Sequence, residues 1–358
     1  MVKKLPDAEF AQKKLKDIIR ETTFQPIDFS LGSIVEMIHG DQIMLNPDFQ
    51  RRERWDPKKK SRLIESFLLN IPIPPIFIIS QEKLGAYYVI DGQQRLRAVQ
   101  EFFDNKYPLT SLEKWPELNR LYYRDLQKIG LANVLSQRPL RTFELRSSNL
   151  DAIYDVFSRL NTGGITLNSQ EIRNSTFAKY PFNRLIKRLG DDKIFWSLIG
   201  IKNEKDIRYK KMTNCELVLR YFAVRGEGYR NFRHLNDPFL NDAMKEKMII
   251  STVDEIQLEL EFKNTMGSIK NALGKLAFKN PSHPQSFMAT LYDATVHAFD
   301  NMNPEKAKQL SSHFMQIYRK LWQDPAFLEL FGRGTNTPVK MKARIERLDQ
   351  MVKEAIGQ

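Results

Sequence analysis

The chain has 358 residues, of which 42% are hydrophobic and 11% aromatic, so it is long enough for roughly two or three domains and too rich in core-forming side chains to be intrinsically disordered. Its 56 lysines and arginines outnumber the 43 aspartates and glutamates and give a net charge of +13, which favours an acidic partner such as nucleic acid over a merely solvated basic surface. The single cysteine, Cys215, excludes a disulfide framework and a cysteine-based metal cluster.

The first predicted elements are helical. Residues 1–28 read as an amphipathic helical extension without the apolar run of a signal peptide. The stretch "FSLGSIVEMIHG" (29–40) predicts a short helix that ends at the glycine. Asp56 is a suitable N-cap and Pro57 a suitable first residue for the next helix, in which apolar residues recur at helical spacing.

Three β-rich runs follow: "IFIIS" (76–80), "AYYVID" (86–91) and "LRTFELRS" (140–147). The first two are separated as in a hairpin, and beyond about residue 149 the strand signals fade and helical periods dominate. We therefore predict an α+β fold, with a mixed domain that contains a small sheet (29–150) followed by an all-helical domain (151–358).

The joint between the second run and the next helix reads DGQQR (91–95), a polar cluster between two apolar elements. A helix that begins after Gly92 offers its free N–H groups and the positive end of its dipole to an anion, phosphate above all. Arg95 could bind a phosphate through two parallel hydrogen bonds, and Asp91 could hold a magnesium ion or orient a water molecule. The amides of Gln93 and Gln94 suit a base, a ribose or a water molecule.

A purely structural interpretation explains the DGQQR pattern equally well. Asp91 would then be the N-cap of the helix and Gly92 a tight turn. Arg95 would be a surface cation paired with Asp91.

A second candidate segment is "NTGGITLNSQEIRN" (161–174). Its glycine turn, with Gly163, is able to place backbone amides against a ligand, and we assign Asn161 to the same site. Asn168 followed by Glu171 is a capping box that starts the next helix. A well-capped helix accounts for the latter pair without a function.

Two basic segments are candidates for DNA contact. Lys210 and Lys211 end "IRYKK" (207–211), and "RGEGYRNFRH" (225–234) interleaves basic and aromatic residues in a way that suits phosphate contact with base stacking. The basic residues there are Arg230 and Arg233, and the aromatic residues are Tyr229 and Phe232. Each segment taken alone is more often a solvated surface, and DNA contact is favoured by the two together with the net charge.

Three blocks in this order carry a family resemblance: "NPDFQRRERWDPKKKSRLIESFLLNIPIPPIFI", "YYVIDGQQRLRAV" and "FSRLNTGGITLNSQEIRN". They resemble the DUF262 family, the N-terminal domain type of the GmrSD restriction endonucleases and of related phage-defence proteins, over roughly residues 29–225. More distantly they resemble the ParB/sulfiredoxin fold, in which a DG-x-R-R turn builds a nucleotide pocket. The resemblance implies a ParB/sulfiredoxin-like domain that binds a nucleoside triphosphate with Mg²⁺, its phosphates lying on the DGQQR turn.

Transferred residue by residue, the resemblance gives Asp91, Gln94 and Arg95 catalytic roles and makes Gly92 and Gln93 nucleotide contacts. Arg52 and Arg54, together with Arg51, stand where the wider fold has its phosphate-side basic loop; a solvated or nucleic-acid-facing charge run explains them equally well. Asn161 stands beside the expected metal, so that Asp91 and Asn161 would be the Mg²⁺ ligands. An arginine expected three residues later is Gly164 in this chain, which puts the metal arrangement in doubt.

The function that these patterns favour is a nucleotide-binding, NTP-hydrolysing component of a prokaryotic restriction or anti-phage system. It would be a cytoplasmic protein without a membrane partner, compatible with an oligomer, that contacts DNA and regulates a separate nuclease or other defence subunit. The alternative is a ParB-like module whose nucleotide switches DNA binding without turnover. No Walker A sequence is present, so an ordinary P-loop enzyme is excluded. The identity of the nucleotide and its hydrolysis stay open at this stage.

Overall fold

The computed structural model describes residues 7–21, 23–45, 55–81, 86–146, 150–160, 168–232, 237–332, 334–335 and 337–357. The chain divides into two units, Met1–Leu167 and Asn168–Gln358. Each unit is considered by itself below.

The first unit combines seven described helices with five strands. In chain order the elements are α1 (Ala8–Glu21), β1 (Thr23–Ser30), α2 (Leu31–His39), β2 (Ile43–Met44), α3 (Pro57–Leu68), β3 (Ile76–Gln81), β4 (Ala86–Asp91), α4 (Gln93–Phe103), α5 (Tyr123–Lys128), α6 (Leu131–Ser136), β5 (Pro139–Arg146) and α7 (Leu150–Leu160).

The strands form one mixed sheet in the order β1-β5-β3-β4-β2. Strand β1 pairs antiparallel with β5, and β5 pairs parallel with β3. Strands β3 and β4 form the expected antiparallel pair, and β4 pairs parallel with the short strand β2. The sequence patterns did not predict β1, which occupies 23–30 at one edge of the sheet and includes Pro26.

The starts of α2 and α3 follow local capping rules. Ser30 accepts a hydrogen bond from the backbone N–H of Ser33 at the start of α2, which ends at Gly40 as predicted. Asp56 accepts from the N–H of Lys59 at 2.8 Å, and Pro57 is the first residue of α3. Both predictions for α3 are confirmed.

One apolar cluster joins the sheet to its helices. Its fully buried members include Ile34 of α2, Ile64 of α3, Ile76 and Ile78 of β3, Leu96 and Val99 of α4, and Leu135 of α6. Because α4 and β3 contribute side chains to the same cluster, the joint between β4 and α4 is held against the beginning of β3.

The described residues of the second unit form helices joined by turns and loops, with no strand among them. Its elements are α8 (Ser169–Thr176), α9 (Pro181–Gly190), α10 (Lys193–Ile199), α11 (Ile207–Lys210), α12 (Thr213–Val224), α13 (Asp237–Lys247), α14 (Thr252–Leu273), α15 (Ala289–Ala298), α16 (Pro304–Gln309), α17 (Ser311–Leu321), α18 (Pro325–Glu329) and α19 (Pro338–Ile356). The predicted α+β class, with a sheet in the N-terminal part and helices in the C-terminal part, is therefore confirmed.

Helix α12 is the centre of this second unit. Almost all of its side chains are buried, including Cys215. Arg220 of α12 forms a buried ion pair with Asp293 of α15, with 2.9 Å between Nε and Oδ1. Within the described part of the chain, no helix has both the length and the apolar composition that a bilayer-spanning segment needs.

Candidate functional site

Gly92 makes the sharp turn between β4 and α4. It is the N-cap residue of α4 and has the left-handed dihedral angles φ 99° and ψ 9°. A β-carbon added to it would lie 2.4 Å from Cγ2 of Ile76, at the start of β3. The turn therefore needs glycine twice, for its backbone conformation and for its close approach to β3.

Asp91 and Arg95 form an ion pair across this turn, with 2.5 Å between Oδ2 and Nη2. The same guanidinium group donates through Nη1 to the backbone carbonyls of Pro74 and Pro75. The side chain of Arg95 is only 12% exposed, whereas that of Asp91 is 37% exposed. Burial lowers the pKa of Arg95, and the nearby carboxylate of Asp91 opposes that shift.

This geometry corrects the structural interpretation in two respects. The N-cap residue is Gly92, and no side chain caps α4 at that residue, so Asp91 is not the N-cap. The expected Asp91–Arg95 ion pair is present. Arg95 is not a surface cation, however, because its side chain is largely buried and donates to backbone carbonyls of the proline segment. The guanidinium group of Arg95 is planar and carries several N–H donors, so it can hydrogen-bond to one carboxylate and two backbone carbonyls at the same time.

Gln93 is the first residue of α4 and is 8% exposed. Its Nε2 donates to the carbonyl of Val89 at 3.3 Å, while its Oε1 is buried and has no hydrogen-bond partner among the described residues. A buried acceptor without a donor costs about 1–3 kcal/mol, so this oxygen is suited to a ligand hydroxyl, amine or water molecule. Gln94 is half-buried beside it.

The first N–H groups of α4 complete the turn. The first backbone hydrogen bond of the helix runs from Leu96 N to Gly92 O, at 3.0 Å. The N–H groups of residues 93–95 therefore precede the intrahelical ladder, at the positive end of an 11-residue helix. The arrangement can bind an anion at the backbone and offers a polar side chain on each side of it.

Asn168 forms the predicted capping box at the start of α8. Its Oδ1 accepts from the N–H groups of Gln170 and Glu171, and Glu171 Oε2 accepts from the N–H of Asn168. The same side chain donates from Nδ2 to the carbonyl oxygen of Lys211 at 2.7 Å. The capped end of the second candidate segment is thereby joined to the basic segment 207–211.

The other basic segment differs from the expected stacking surface. Tyr229 and Phe232 are buried, with Tyr229 against His297 and Phe232 against Phe239, so neither ring is presented to a base. Arg230 is exposed and pairs with Glu227 at 2.7 Å. The stacking interpretation of these rings is therefore wrong, because they fill the apolar core of the second unit.

Several predicted site residues lie outside the described residues: Arg51, Arg52, Arg54, Asn161, Gly163, Gly164 and Arg233. The structure therefore brings together Asp91, Gly92, Gln93, Gln94 and Arg95 alone of the predicted nucleotide site. Of the predicted DNA contacts, Lys211 and Arg230 are exposed and Lys210 is half-buried.

Sequence analysis missed the partners that hold this turn in place. A segment that precedes β4 contributes both partners. Ile76 packs against Gly92, and the carbonyls of Pro74 and Pro75 accept hydrogen bonds from Arg95. The four-residue spacing of Asp91 and Arg95 signalled their pair, but no spacing rule connects Arg95 to the prolines.

Comparison with known proteins gives one match. Residues 31–178 match the family model described as "GmrSD restriction endonuclease, N-terminal domain". No curated protein and no solved structure matches the chain. The matched range contains the β4–α4 turn and the whole of the second candidate segment, and it confirms the resemblance seen in the three sequence blocks.

Proposed function

We propose that this chain is a component of a restriction or anti-phage system that binds a nucleoside triphosphate at the β4–α4 turn and hydrolyses it with Mg²⁺; the match of residues 31–178 to the GmrSD N-terminal domain model supports the proposal. We further propose that it contacts DNA and that nucleotide turnover regulates a separate nuclease. The family match supports a role in a restriction or anti-phage system, and the geometry of the turn supports the nucleotide.

The observation that carries the nucleotide proposal is the start of α4, which has no side-chain cap at Gly92. The N–H groups of residues 93–95 precede the first backbone hydrogen bond of the helix, from Leu96 N to Gly92 O. A phosphate can accept from the N–H groups there as a side-chain cap otherwise would. The buried Oε1 of Gln93 then accepts from a donor on the nucleotide or on a bound water molecule.

The turn can hold Mg²⁺ only if the nucleotide supplies part of the oxygen ligands of the ion. The described residues contain no group of three or more His, Cys, Asp or Glu side chains that could hold a metal ion. Asp91 is a single, partly exposed carboxylate, which suits Mg²⁺ bound mainly by phosphate oxygens and water. The ion would neutralise phosphate charge as water attacks, while Gln94 orients the water and Arg95 offsets charge.

One observation favours the second candidate function, a nucleotide switch without turnover. Asp91 Oδ2 is bound by Arg95, and Arg95 is bound to the proline carbonyls. Catalysis requires Asp91 to bind a metal ion or a water molecule while Arg95 occupies one of its oxygens, either through Oδ1 or by displacing the arginine. Nucleotide binding at the helix N-terminus makes no such demand on Asp91.

DNA contact is supported by charge. The chain carries +13, and Lys211 and Arg230 are exposed on the second unit. Backbone phosphates of DNA attract such side chains whatever the base sequence, so binding should weaken steeply with salt.

The testing experiment measures nucleotide binding and phosphate release separately. Wild type, Asp91→Asn and Gln94→Ala are each given ATP, GTP, CTP or UTP with Mg²⁺, with and without DNA. Asp349→Asn is the matched control, because it removes another aspartate paired with a cation four residues later, at 2.8 Å from Lys353.

Turnover that Asp91→Asn abolishes and Asp349→Asn retains supports hydrolysis at the turn. Binding without turnover, together with DNA affinity that depends on nucleotide, supports the switch instead. A wild-type chain that binds none of the four nucleotides overturns both functions.

A further inference from the structure

The two faces of the sheet are covered to different extents. Ile78 of β3 points into the apolar cluster that joins the sheet to its helices. Because side chains alternate along a strand, Phe77 of β3 and its parallel neighbour Phe143 of β5 lie on the opposite face, which we call the second face. Farther along it, Ile79 and Leu145 are buried, whereas Phe77 and Phe143 are only half-buried. Of these four side chains, the two at the beginning of β3 are therefore the ones that remain open to solvent.

A β-bulge brings this pair of rings beside the candidate site. Ile78 of β3 pairs with Val89 of β4, but the next residue, Phe77, pairs with Asp91, so that Ile90 is an extra residue on β4. Asp91 is thus directly opposite Phe77, and opposed residues of antiparallel strands have Cα atoms about 5 Å apart. The Phe77 ring therefore lies at the end of the sheet where β4 leads into the turn.

One face of the Phe77 ring is directed towards that turn. The other face stacks on Phe143, with 5.4 Å between the ring centroids and 22° between the ring planes. Phe24 of β1 packs against Phe77 in a T-shaped arrangement, with 6.3 Å between the centroids. The strand order β1-β5-β3-β4 places both partners on the same side of β3, so the remaining ring face of Phe77 is turned towards β4. Among the described residues, no aromatic ring packs against Phe77 from that side.

A nucleobase is the partner that this ring face fits. A nucleotide whose phosphates lie on the N–H groups of residues 93–95 has its base tethered within reach of the end of β4. Every base presents a flat π-face that stacks on an aromatic side chain, whatever polar groups the edge of the base carries. The tether favours the base over an apolar side chain of another protein, because it gives the base a high effective concentration at the ring. A half-buried ring suits this contact, since it covers the face of the base and leaves the polar edge in water.

We propose that the base of the bound nucleotide stacks on the ring of Phe77, which makes Phe77 a specificity-determining residue that distinguishes nucleotides from inorganic polyphosphates. This inference rests on the proposed function, because it takes the phosphates to lie at the β4–α4 turn. Stacking does not read the hydrogen-bonding edge of a base, so the ring contributes to the binding of purine and pyrimidine nucleotides alike.

Isothermal titration calorimetry on the full chain measures the binding of ATP, GTP, CTP, UTP and inorganic tripolyphosphate, each with Mg²⁺. Tripolyphosphate has the phosphate chain without ribose or base, so it reports on the phosphate site alone. Phe77→Leu removes the ring and keeps an apolar side chain, whereas Phe77→Tyr keeps the ring. The matched control is Phe103→Leu, because Phe103 is also a half-buried phenylalanine of the first unit and stacks on Tyr123 with 4.3 Å between the ring centroids. Circular dichroism and thermal unfolding establish that each variant is folded.

We expect wild type to bind each nucleotide more tightly than it binds tripolyphosphate. Phe77→Leu should bind each nucleotide about tenfold more weakly than wild type does, with its affinity for tripolyphosphate unchanged. Phe77→Tyr and Phe103→Leu should resemble wild type with every ligand.

Nucleotide affinities that are equal in folded Phe77→Leu and in wild type would overturn the inference. An equal loss of affinity for nucleotides and tripolyphosphate would overturn it too, because Phe77 would then only support the shape of the turn. If wild type binds tripolyphosphate as tightly as the nucleotides, the phosphate site stands and the stacked base is wrong. Failure of wild type to bind any of these ligands would instead contradict the proposed nucleotide function itself.

Discussion

A β-carbon placed on Gly92 would lie 2.4 Å from Cγ2 and 3.0 Å from Cβ of Ile76. Ile76 is itself fully buried in the core of the first unit, so it has no free space into which to retreat. The position of the β4–α4 turn is therefore fixed by packing against β3 as well as by its own dihedral angles.

Replacement of Gly92 by alanine should lower the free energy of unfolding by about 3 kcal/mol, from a left-handed backbone and an overpacked contact together. Chemical denaturation measures this change. Gly130→Ala is the control for the backbone contribution, because Gly130 also has a positive φ at a helix N-cap but has nothing within 4 Å of its added β-carbon. It should cost about 1 kcal/mol. An equal loss of unfolding free energy in Gly92→Ala and Gly130→Ala would show that Ile76 shifts at little cost to make room for the added β-carbon.

Arg95→Lys should lower the free energy of unfolding by about 1–2 kcal/mol although it retains the positive charge. An ammonium group can reach Asp91 but cannot also span the carbonyls of Pro74 and Pro75 as the guanidinium fork does. The control is Arg159→Lys, in an exposed pair with Asp155 at the same four-residue spacing, where we expect a change within about 0.5 kcal/mol. If both lysine variants are as stable as wild type, the proline contacts do not clamp the turn.

Asn168→Ala should destabilise the second unit by about 1–2 kcal/mol, since it removes both the cap of α8 and the hydrogen bond to Lys211. Asn168→Asp separates the two effects, because a carboxylate still caps the helix but cannot donate to a carbonyl. We expect its stability, by urea unfolding, to fall between those of wild type and Asn168→Ala. Asn303→Ala, which removes a cap of the same type from α16, gives the cost of a cap alone.

Glu259 should contribute a small, pH-dependent stabilisation. Lys263 and Arg188 donate to its carboxylate and hold its pKa below the ordinary value of 4.5, against the opposing effect of partial burial. A pKa that is lower in the folded state gives stability that is complete above the unfolded pKa and is lost as the pH falls through the folded pKa. Wild type should therefore exceed Glu259→Gln by about 0.5 kcal/mol at pH 7, and by progressively less below about pH 4.5.

Salt provides the control for this pH dependence. The difference between wild type and Glu259→Gln at pH 7 should shrink at about 1 M salt, since the pair is partly exposed and screened. A difference that persists at pH 3 would mean that packing, and not the charge, distinguishes the glutamate from the glutamine.

Local signals in the sequence predicted local structure. Asp56 and Pro57 marked the start of α3, and Asn168 with Glu171 marked the start of α8, because a cap and its N–H donors lie within four residues of one another. The antiparallel pair of β3 and β4 followed from two β-rich runs at short separation.

The structural features that the sequence did not predict depend on contacts between residues far apart in the chain. Strand β1 has mostly exposed side chains and a proline, and it is a strand because β5 pairs with it from more than a hundred residues away. The burial of Tyr229 and Phe232 likewise depends on partners distant in sequence or on neighbouring helices, so their position between arginines suggested an exposed surface. At the candidate site, residue types and order were predictable, whereas the attachment of Arg95 to Pro74 and Pro75 was not.

The two margins of the sheet have a consequence for how this protein associates with others. One margin is β2, only two residues long, and the other is β1, whose Pro26 has no N–H to donate. Among the described strands, a very short edge strand and a proline in an edge strand are both features that disfavour pairing with a strand from another molecule. They make strand exchange and fibril-like growth less favourable at the margins of this sheet.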